Sequence, residues 1–303
     1  MMIDFFVSSA KTLGSISKAF FVKGFFRCYL FYFQLGGILL AFHKPQKIAE
    51  LTIETGVTKT KLPFSHMLLL GFLGGAFIAL GYLLDIRVIG NLPTEWGSLA
   101  NLIGGAVFPV GLILVVLAGA ELITGNMMSV SMAFYAKKIS LGNLVHNWFW
   151  ITLANLVGAL FIAYFFGHVV GLTETGPYLH KTVAMATSKV EESFLQTFIS
   201  AIGCNWLVCL AIWLAYGADD FIGKIAGIWF PVMAFVAIGF QHVVANMFVI
   251  PAAIFAGEIT WIDFFSNMIP TFLGNAVGGA GFVGFLYFYV YYKQANQVQK
   301  PQN

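Results

Sequence analysis

Long apolar stretches separated by short polar connections dominate the chain from residue 66 onward. A straight helix needs about 20 apolar residues to cross a bilayer. Four stretches suit single spans, at about 66–84, 146–167, 194–216 and 264–292. Two others, 88–136 and 225–257, are too long for one span and are interrupted by glycine and proline. The pattern predicts six spans, of which the second and the fifth are broken helices.

Helix breaks at membrane depth leave backbone N–H and C=O groups without partners, so they persist only where protein or a water-lined cavity satisfies those groups. We expect the second span to break in a loop at 121–125, before a half-helix that ends near Tyr135. The fifth breaks around Gly239, and its only ionisable side chain is His242. An imidazole beside such a break is a candidate for a transport pathway.

The two halves of the chain share a motif at a constant offset. Gly119-Ala-Glu-Leu-Ile-Thr-Gly-Asn126 and Gly239-Phe-Gln-His-Val-Val-Ala-Asn246 have glycine and asparagine 120 positions apart, and the same offset takes Asn155 onto Asn275. Three spans per half is an odd number, so the second half enters the membrane from the opposite side. The expected fold is an all-α polytopic membrane protein with inverted three-helix repeats whose broken helices meet near the midplane.

Composition agrees with a membrane protein and excludes several other classes. The chain is 59% apolar and 10% charged, with a mean hydropathy of +0.85, whereas soluble domains carry about 25% charge. Its basic residues lie in short loops, so the net charge of +3 gives no indication of nucleic-acid binding. Cys28, Cys204 and Cys209 form no CxxC pair, and we expect neither a disulfide nor a metal site. We expect no cofactor either.

Two rival functions find little support in the sequence. A water or glycerol pore of the aquaporin type would carry paired Asn-Pro-Ala boxes, and the chain has none. An intramembrane enzyme needs a nucleophile and a base or a set of metal ligands. The interiors of the spans offer one histidine, one glutamate and no HExxH motif.

Positive charges in alternate loops predict the orientation. One side holds nine from residue 40 onward, namely Lys44, Lys47, Lys59, Lys61, Lys137, Lys138, Lys224, Lys293 and Lys300, and the other holds three, Arg87, Lys181 and Lys189. Both termini should therefore be cytoplasmic. The expected organisation is an amphipathic cytoplasmic segment at 40–65, a six-span transport domain at 66–292 and a cytoplasmic tail at 293–303. The connection at 171–192 is expected to be a polar loop.

Residues 1–39 form an extension of a different kind. The segment is rich in phenylalanine, carries four basic residues and shows neither a clean span nor a small-residue cleavage site. One hypothesis is that it is not translated, because Leu35-Gly36-Gly37 could be encoded by a purine-rich ribosome-binding sequence ahead of a UUG start at Leu40. Mass analysis of the native protein that finds Met1 would rule this out.

Several polar side chains in the apolar spans are candidates for a pathway. Apolar surroundings favour neutral His242, a hydrogen-bond donor until an anion or proton arrives, although the residue could equally be structural. Thr124 and Asn205 could each hydrogen-bond a passing oxyanion or bridge helices. Glu121 costs about 3 kcal/mol at mid-helix and is expected to cap the loop. Asn126 and Asn246 are expected to pair with freed backbone groups.

Apolar side chains near the breaks could form constrictions if they face the pathway, and otherwise they are ordinary packing. The candidates are Phe108, Leu112, Leu122, Val208 and Phe235. On the outer side, Lys189 could attract anions or simply be solvated.

In combination, these motifs resemble the formate/nitrite transporter family from about Lys44 to Tyr292. The matching segments are Gly111-Leu-Ile-Leu, Gly119 to Asn126, Asn155-Leu-Val-Gly-Ala, Asn205-Trp-Leu-Val-Cys-Leu-Ala, Gly239 to Met247 and Ile269-Pro-Thr-Phe-Leu-Gly-Asn275. The resemblance implies an aquaporin-like six-span protomer and a homopentamer with one pathway per protomer. It also implies transport of small monovalent anions such as formate, nitrite or hydrosulfide.

The resemblance assigns roles to individual residues. His242 matches the central pathway histidine, Thr124 and Asn205 match its hydrogen-bonding partners, and Lys189 matches an outer lysine that draws anions inward. Leu122 matches the gate loop, and Phe108, Leu112, Phe235 and, less closely, Val208 match the constrictions. Two departures matter. Gln241 stands where many members have an acidic residue, and Ile123 replaces a common phenylalanine.

We therefore expect a bacterial inner-membrane channel or proton-coupled transporter, with formate as the substrate. A bare anion pays a desolvation cost in an apolar ring that a neutral acid does not. The anion would gather near Lys189, take up a proton supplied through His242 and cross as the acid. In the competing mechanism His242 only donates hydrogen bonds. The sequence does not choose among formate, nitrite, hydrosulfide, acetate and lactate.

Overall fold

The computed structural model describes residues 42–294, so the hypothesis about residues 1–39 and most of the predicted tail lie outside the described residues. Helices form nearly all of the described chain. Their bounds are α1 Pro45–Thr60, α2 Phe64–Ile89, α3 Ser98–Gly119, α4 Ile123–Tyr135, α5 Leu141–Val169, α6 Pro177–Val190, α7 Phe194–Gly217, α8 Phe221–Ile238, α9 Val243–Phe255 and α10 Trp261–Lys293.

Six of these helices, α2, α3, α5, α7, α8 and α10, are long and apolar enough to cross a membrane. The shorter helices α4 and α9 follow the breaks after α3 and α8 and complete the second and fifth spans. The prediction of an all-α bundle of six spans with two broken helices is confirmed.

Helix α6 corrects the expectation of a polar loop at 171–192. It begins at Pro177 directly after Gly176, whose φ is +56°, and runs to Val190. Its buried residues Thr182, Ala186 and Lys189 recur at intervals of four and three positions, which places them on one face of a helix. That period was present in the sequence but was concealed by the polar composition of the segment.

Three spans begin in the same way, which explains why they start where they do. Ser140, Ser193 and Thr260 each stand at a helix N-cap and form a capping box with the residue three positions later. In a capping box, both side chains satisfy backbone N–H groups that the first helical turn leaves free. These caps fix the starts of α5, α7 and α10.

Small residues set the helix packing within each half. A Cβ on Gly75 or Gly158 would collide with the carbonyl groups of Asn155 and Phe72, respectively, so α2 and α5 pack backbone to backbone. In the second half, Gly274 and Gly278 on α10 approach carbonyl groups of α7 in the same way. Close approach of this kind holds helices together in lipid, where the hydrophobic effect between helices is absent.

Candidate functional site

Both broken spans turn at a glycine in the left-handed region. Gly119, the last residue of α3, has a φ of +92°, and Gly239, directly after α8, has a φ of +89°. Glycine adopts this conformation without the steric penalty that a Cβ brings. Two residues outside any helix follow each glycine and lead to the N-caps of α4 and α9, which are Leu122 and His242. His242 and Leu122 are therefore equivalent positions of the two repeats.

Two asparagines satisfy the backbone groups that the breaks set free. Asn155 Oδ1 accepts the N–H of Ile123 at 2.9 Å, and its Nδ2 donates to the carbonyls of Gly71 at 2.7 Å and Glu121 at 2.8 Å. Asn275 repeats this arrangement with the N–H of Val243 and two carbonyls. In the sequence, these asparagines were recognisable only as markers of the repeat. Their recurrence inside apolar spans was the signal for their role.

Glu121 belongs to a polar cluster beside the first break. It accepts from Lys59 Nζ at 2.7 Å and from Asn126 Nδ2 at 2.8 Å. Asn126 Nδ2 also donates to Asn147 Oδ1 at 2.9 Å. The expectation that Asn126 pairs with freed backbone is therefore wrong, because its amide is taken by two side chains.

Gln241 stands in the equivalent cluster of the second repeat. Its Oε1 accepts from Asn246 Nδ2 at 2.6 Å, and its Nε2 donates to Glu192 Oε2 at 2.9 Å. Asn246 Nδ2 also donates to Asn267 Oδ1 at 2.8 Å, so the backbone role expected of Asn246 is wrong as well. An amide at 241 fits this cluster because it donates to one side chain and accepts from another, which a carboxylate does not do.

His242 has both ring nitrogens engaged and is 2% exposed. Nδ1 accepts the N–H of Ala245 at 3.1 Å and so caps the N-terminus of α9. Because Nδ1 accepts, the neutral ring carries its proton on Nε2, which lies 3.2 Å from Thr124 Oγ1. The ring also stacks on Phe235, with centroids 5.7 Å apart. The helix cap thus selects the tautomer that presents an N–H on the side of Thr124.

Asn205 supports Thr124 and does not bond His242 itself. Its Nδ2 donates to the carbonyl of Thr124 at 3.2 Å and to that of Asn275 at 2.7 Å. Asn205 therefore ties the first residues of α4 to α10, as the interpretation of a helix-bridging amide expected.

A closed apolar segment lies beside His242. It is lined by all five expected constriction residues, Phe108, Leu112, Leu122, Val208 and Phe235, together with Ile78, Val232 and His242 itself. The rings of Phe108 and Phe235 meet edge to face with centroids 5.8 Å apart. The segment leaves no space for a water molecule, so the described conformation is closed here.

Two cavities adjoin the closed segment, and we name them after the predicted orientation: the outer cavity has Lys189 in its wall and the inner cavity has Lys59. The outer cavity has a volume of about 320 Å³ and reaches Phe108, Phe235 and His242. The inner cavity has a volume of about 440 Å³ and reaches Leu122, with Lys59 and Glu121 in its wall. Each cavity therefore shares wall residues with the apolar segment, which are Phe108, Phe235 and His242 for the outer cavity and Leu122 for the inner one.

Lys189 lines the outer cavity but is not a solvated loop lysine. It is 9% exposed, and its Nζ donates to the carbonyls of Gly239 at 2.7 Å and Phe240 at 3.3 Å. These carbonyls lie at the C-terminal end of α8, where a positive charge is favourable. Burial lowers the pKa of Lys189, while the carboxylate of Glu192 acts in the opposite direction. The ammonium group therefore both braces the second break and gives the outer cavity positive charge.

Asp85 is a further wall residue of the outer cavity that sequence analysis did not identify. It lies near the end of α2, where the predicted span had already ended at residue 84. A lone acid in the last turns of an apolar helix was the available signal. Among residues 42–294, no cluster of side chains suited to a metal ion is present.

Comparison with known proteins shows the family to which the chain belongs. A family model described as "Formate/nitrite transporter" matches residues 46–289. The chain belongs to the formate/nitrite transporter family. Members of this family are membrane channels and transporters, so the prediction that the protein is not an enzyme is confirmed.

Three relatives match this chain over almost their whole length. The uncharacterized transporter YrhG of Bacillus subtilis is 70% identical, over 84% of this chain and 96% of the relative. The formate channel BtFdhC of Bacillus thuringiensis is 67% identical, over 86% of this chain and 100% of the relative. The formate channel FocA of Escherichia coli is 32% identical, over 82% and 95% of the two chains.

Solved structures share the fold. A chain titled "FNT family ion channel" has a TM-score of 0.73 at 28% identity, covering 80% of this chain and 98% of the other. A "Pentameric formate channel with formate bound" has a TM-score of 0.65 at 30% identity, covering 75% and 97%.

Proposed function

We propose that the protein is a transmembrane channel for formate, with His242 as its central hydrogen-bond donor. The observation that carries this proposal is the Nε2–H of His242, which faces Thr124 Oγ1 at 3.2 Å beside a closed apolar segment between two cavities. The names of the relatives at 67% and 32% identity support formate as the substrate. Nitrite and hydrosulfide are the alternative substrates within the same family.

The apolar segment decides in which form the substrate crosses. A carboxylate moved out of water into a ring of phenylalanine, leucine and valine loses its hydration and gains no counter-charge there. The neutral acid avoids most of that cost. The anion therefore gathers in the outer cavity beside Lys189, takes up a proton and crosses the constriction as formic acid.

The helix cap argues for His242 as a donor and against it as the source of that proton. To give up a proton and remain a neutral ring, His242 must first carry protons on both nitrogens. A proton on Nδ1 would displace the N–H of Ala245, which Nδ1 accepts at 3.1 Å. The added charge would also face the positive end of the α9 dipole. Proton supply through His242 remains the competing mechanism, and the experiment below separates the two.

The assembly and the location of the channel are part of the proposal. Six apolar spans and bacterial relatives support a multi-pass protein of the bacterial inner membrane. The pentameric neighbour supports a homopentamer with one pathway per protomer. We propose that residues 66–292 are the transport domain, and that 40–65 and the tail from 293 onward face the cytoplasm.

The test is formate uptake into proteoliposomes at several pH values, with nitrite and hydrosulfide as competitors, after native mass spectrometry has counted the subunits. Wild type is compared with His242→Asn, which keeps a cap and a donor but cannot titrate, and with His242→Phe, which keeps neither. If His242 acts as a hydrogen-bond donor, the His242→Asn variant should retain most of the wild-type uptake and its pH dependence. The His242→Phe variant should lose uptake. Equal loss in both variants would favour the proton relay.

Other outcomes bear on the substrate and on the class of protein. If nitrite or hydrosulfide competes more strongly than unlabelled formate, that anion and not formate would be assigned as the substrate. An intact wild-type oligomer that moves none of these anions would contradict the proposed function.

A further inference from the structure

Asp85 is a buried acid with an unsatisfied oxygen in the wall of the outer cavity. It is 1% exposed, and its Oδ1 has no hydrogen-bond partner among the residues that the structure describes. The same cavity is lined by Lys181, Lys189, Glu192 and His242. A buried polar atom without a partner costs free energy and calls for an explanation beyond packing.

The fold keeps a space open for this carboxyl group. Gly104 on α3 lies directly against it, and a Cβ at that position would collide with Asp85 Oδ1. On the same helix Ile86 and Ile89 are buried beside Asp85, and the guanidinium of Arg87 lies over the ring of Tyr178 and donates to the carbonyl of Leu172. The carboxyl group of Asp85 thus lies in a space between α2 and α3 that exists because residue 104 has no side chain.

We propose that Asp85 is the acid that gives the entering anion its proton in the outer cavity. In this step the O–H bond of the Asp85 carboxylic acid breaks and an O–H bond forms on a carboxylate oxygen of the substrate. The substrate leaves as the neutral acid, Asp85 is left as a carboxylate, and water in the outer cavity returns a proton to it. No electrons are transferred. This inference rests on the proposed function and names its proton source.

The other titratable groups of the cavity are less suited to the task, because each already has a hydrogen-bonding role or points elsewhere. Lys189 Nζ is held by two carbonyls, Glu192 accepts from Gln241, and His242 Nδ1 caps α9. Tyr82, on the same helix as Asp85, packs its ring on Phe108. Lys181 and Lys189 act electrostatically on Asp85, so their ammonium groups compensate the charge that it acquires after transfer.

The experiment measures formate uptake into proteoliposomes for Asp85→Asn over a range of external pH. Asparagine has nearly the same shape but no proton to give. We expect uptake to fall by roughly tenfold or more and its rise on acidification to flatten, because a positioned general acid contributes about 10²- to 10⁴-fold to a step that needs a proton transfer. Glu95→Gln is the matched control, because Glu95 is an exposed acid on the same side of the bundle and does not line the cavity. It should leave both the rate and the pH profile unchanged.

A second measurement does not depend on transport. Infrared difference spectra of the wild type on addition of formate should lose a carboxylic-acid C=O band and gain carboxylate bands, and Asp85→Asn should lack that change. Asp85→Asn with wild-type uptake and pH profile, or a wild-type spectrum without an Asp85 band, would overturn the proposal while leaving a formate channel intact. A wild type that moves no formate would instead contradict the proposed function itself.

Discussion

A single residue separates the chemistry of the two repeats. Leu122 and His242 occupy the same N-cap position, but only His242 caps its helix through a side chain. Both line the closed segment, so the pathway has an apolar wall from one repeat and a hydrogen-bond donor from the other. The histidine could be recognised from the sequence because it is the only ionisable side chain of a long apolar run. Its tautomer could not, because it depends on a backbone contact.

The first prediction at this scale concerns the hydroxyl that faces the histidine. Thr124→Val keeps the shape of the side chain but removes Oγ1, which lies 3.2 Å from His242 Nε2. Loss of one net hydrogen bond of about 1 kcal/mol predicts uptake of formate that is roughly two- to tenfold slower. Initial rates in proteoliposomes measure the effect, and Thr124→Ser, which retains the hydroxyl, serves as the control. Equal rates in the valine and serine variants would show that the hydroxyl has no part in transport.

The breaks are the elements on which the site depends, and the sequence predicted them well. Glycine, proline and a 120-residue offset were sufficient to locate both turns. The partners of the broken backbone were harder to predict. Asn155 and Asn275 accept from the half-helices of their own repeats but also donate to carbonyls of α2 and α7, contacts that exist only after the spans have packed. Helix α6 was not predicted, because only one of its faces is buried and the segment therefore has the polar composition of a loop.

The two asparagines give a prediction for stability. Asn155→Leu would leave the N–H of Ile123 and the carbonyl of Glu121 at the first break without their partner, and Asn275→Leu would do the same to Val243 and Gln241 at the second. At about 1–3 kcal/mol for each unsatisfied group, each variant should lose at least about 2 kcal/mol of unfolding free energy. Unfolding in mixed detergent micelles measures this. Asn91→Ala, which removes one exposed 3.4 Å contact, is the control, and a loss no larger than in that variant would refute the assignment.

At the scale of the whole molecule, hydropathy determines the spans, but packing determines whether the pathway is open. The six spans and the inverted repeat follow from apolar length, small residues and an odd number of spans per half. The five constriction residues could be predicted only through the family resemblance. In a helix that is apolar on all sides, the sequence does not show which residues face the pathway. Asp85 was not predicted as a site residue for a related reason. An acid at the predicted end of a span is ordinarily solvated, but here Asp85 is buried and Gly104 of α3 lies against it.

The last prediction is the orientation, because it decides which cavity receives the substrate. With nine basic residues on one side and three on the other, the side that holds Lys59 should be cytoplasmic. A green fluorescent protein fused after Asn303 should fluoresce, whereas alkaline phosphatase at that position should be inactive. Phosphatase inserted between Val170 and Gly176, at the connection of α5 and α6, should be active. The reverse pattern would place Asp85 and Lys189 on the cytoplasmic side, and proton uptake by the anion would then precede export instead of import.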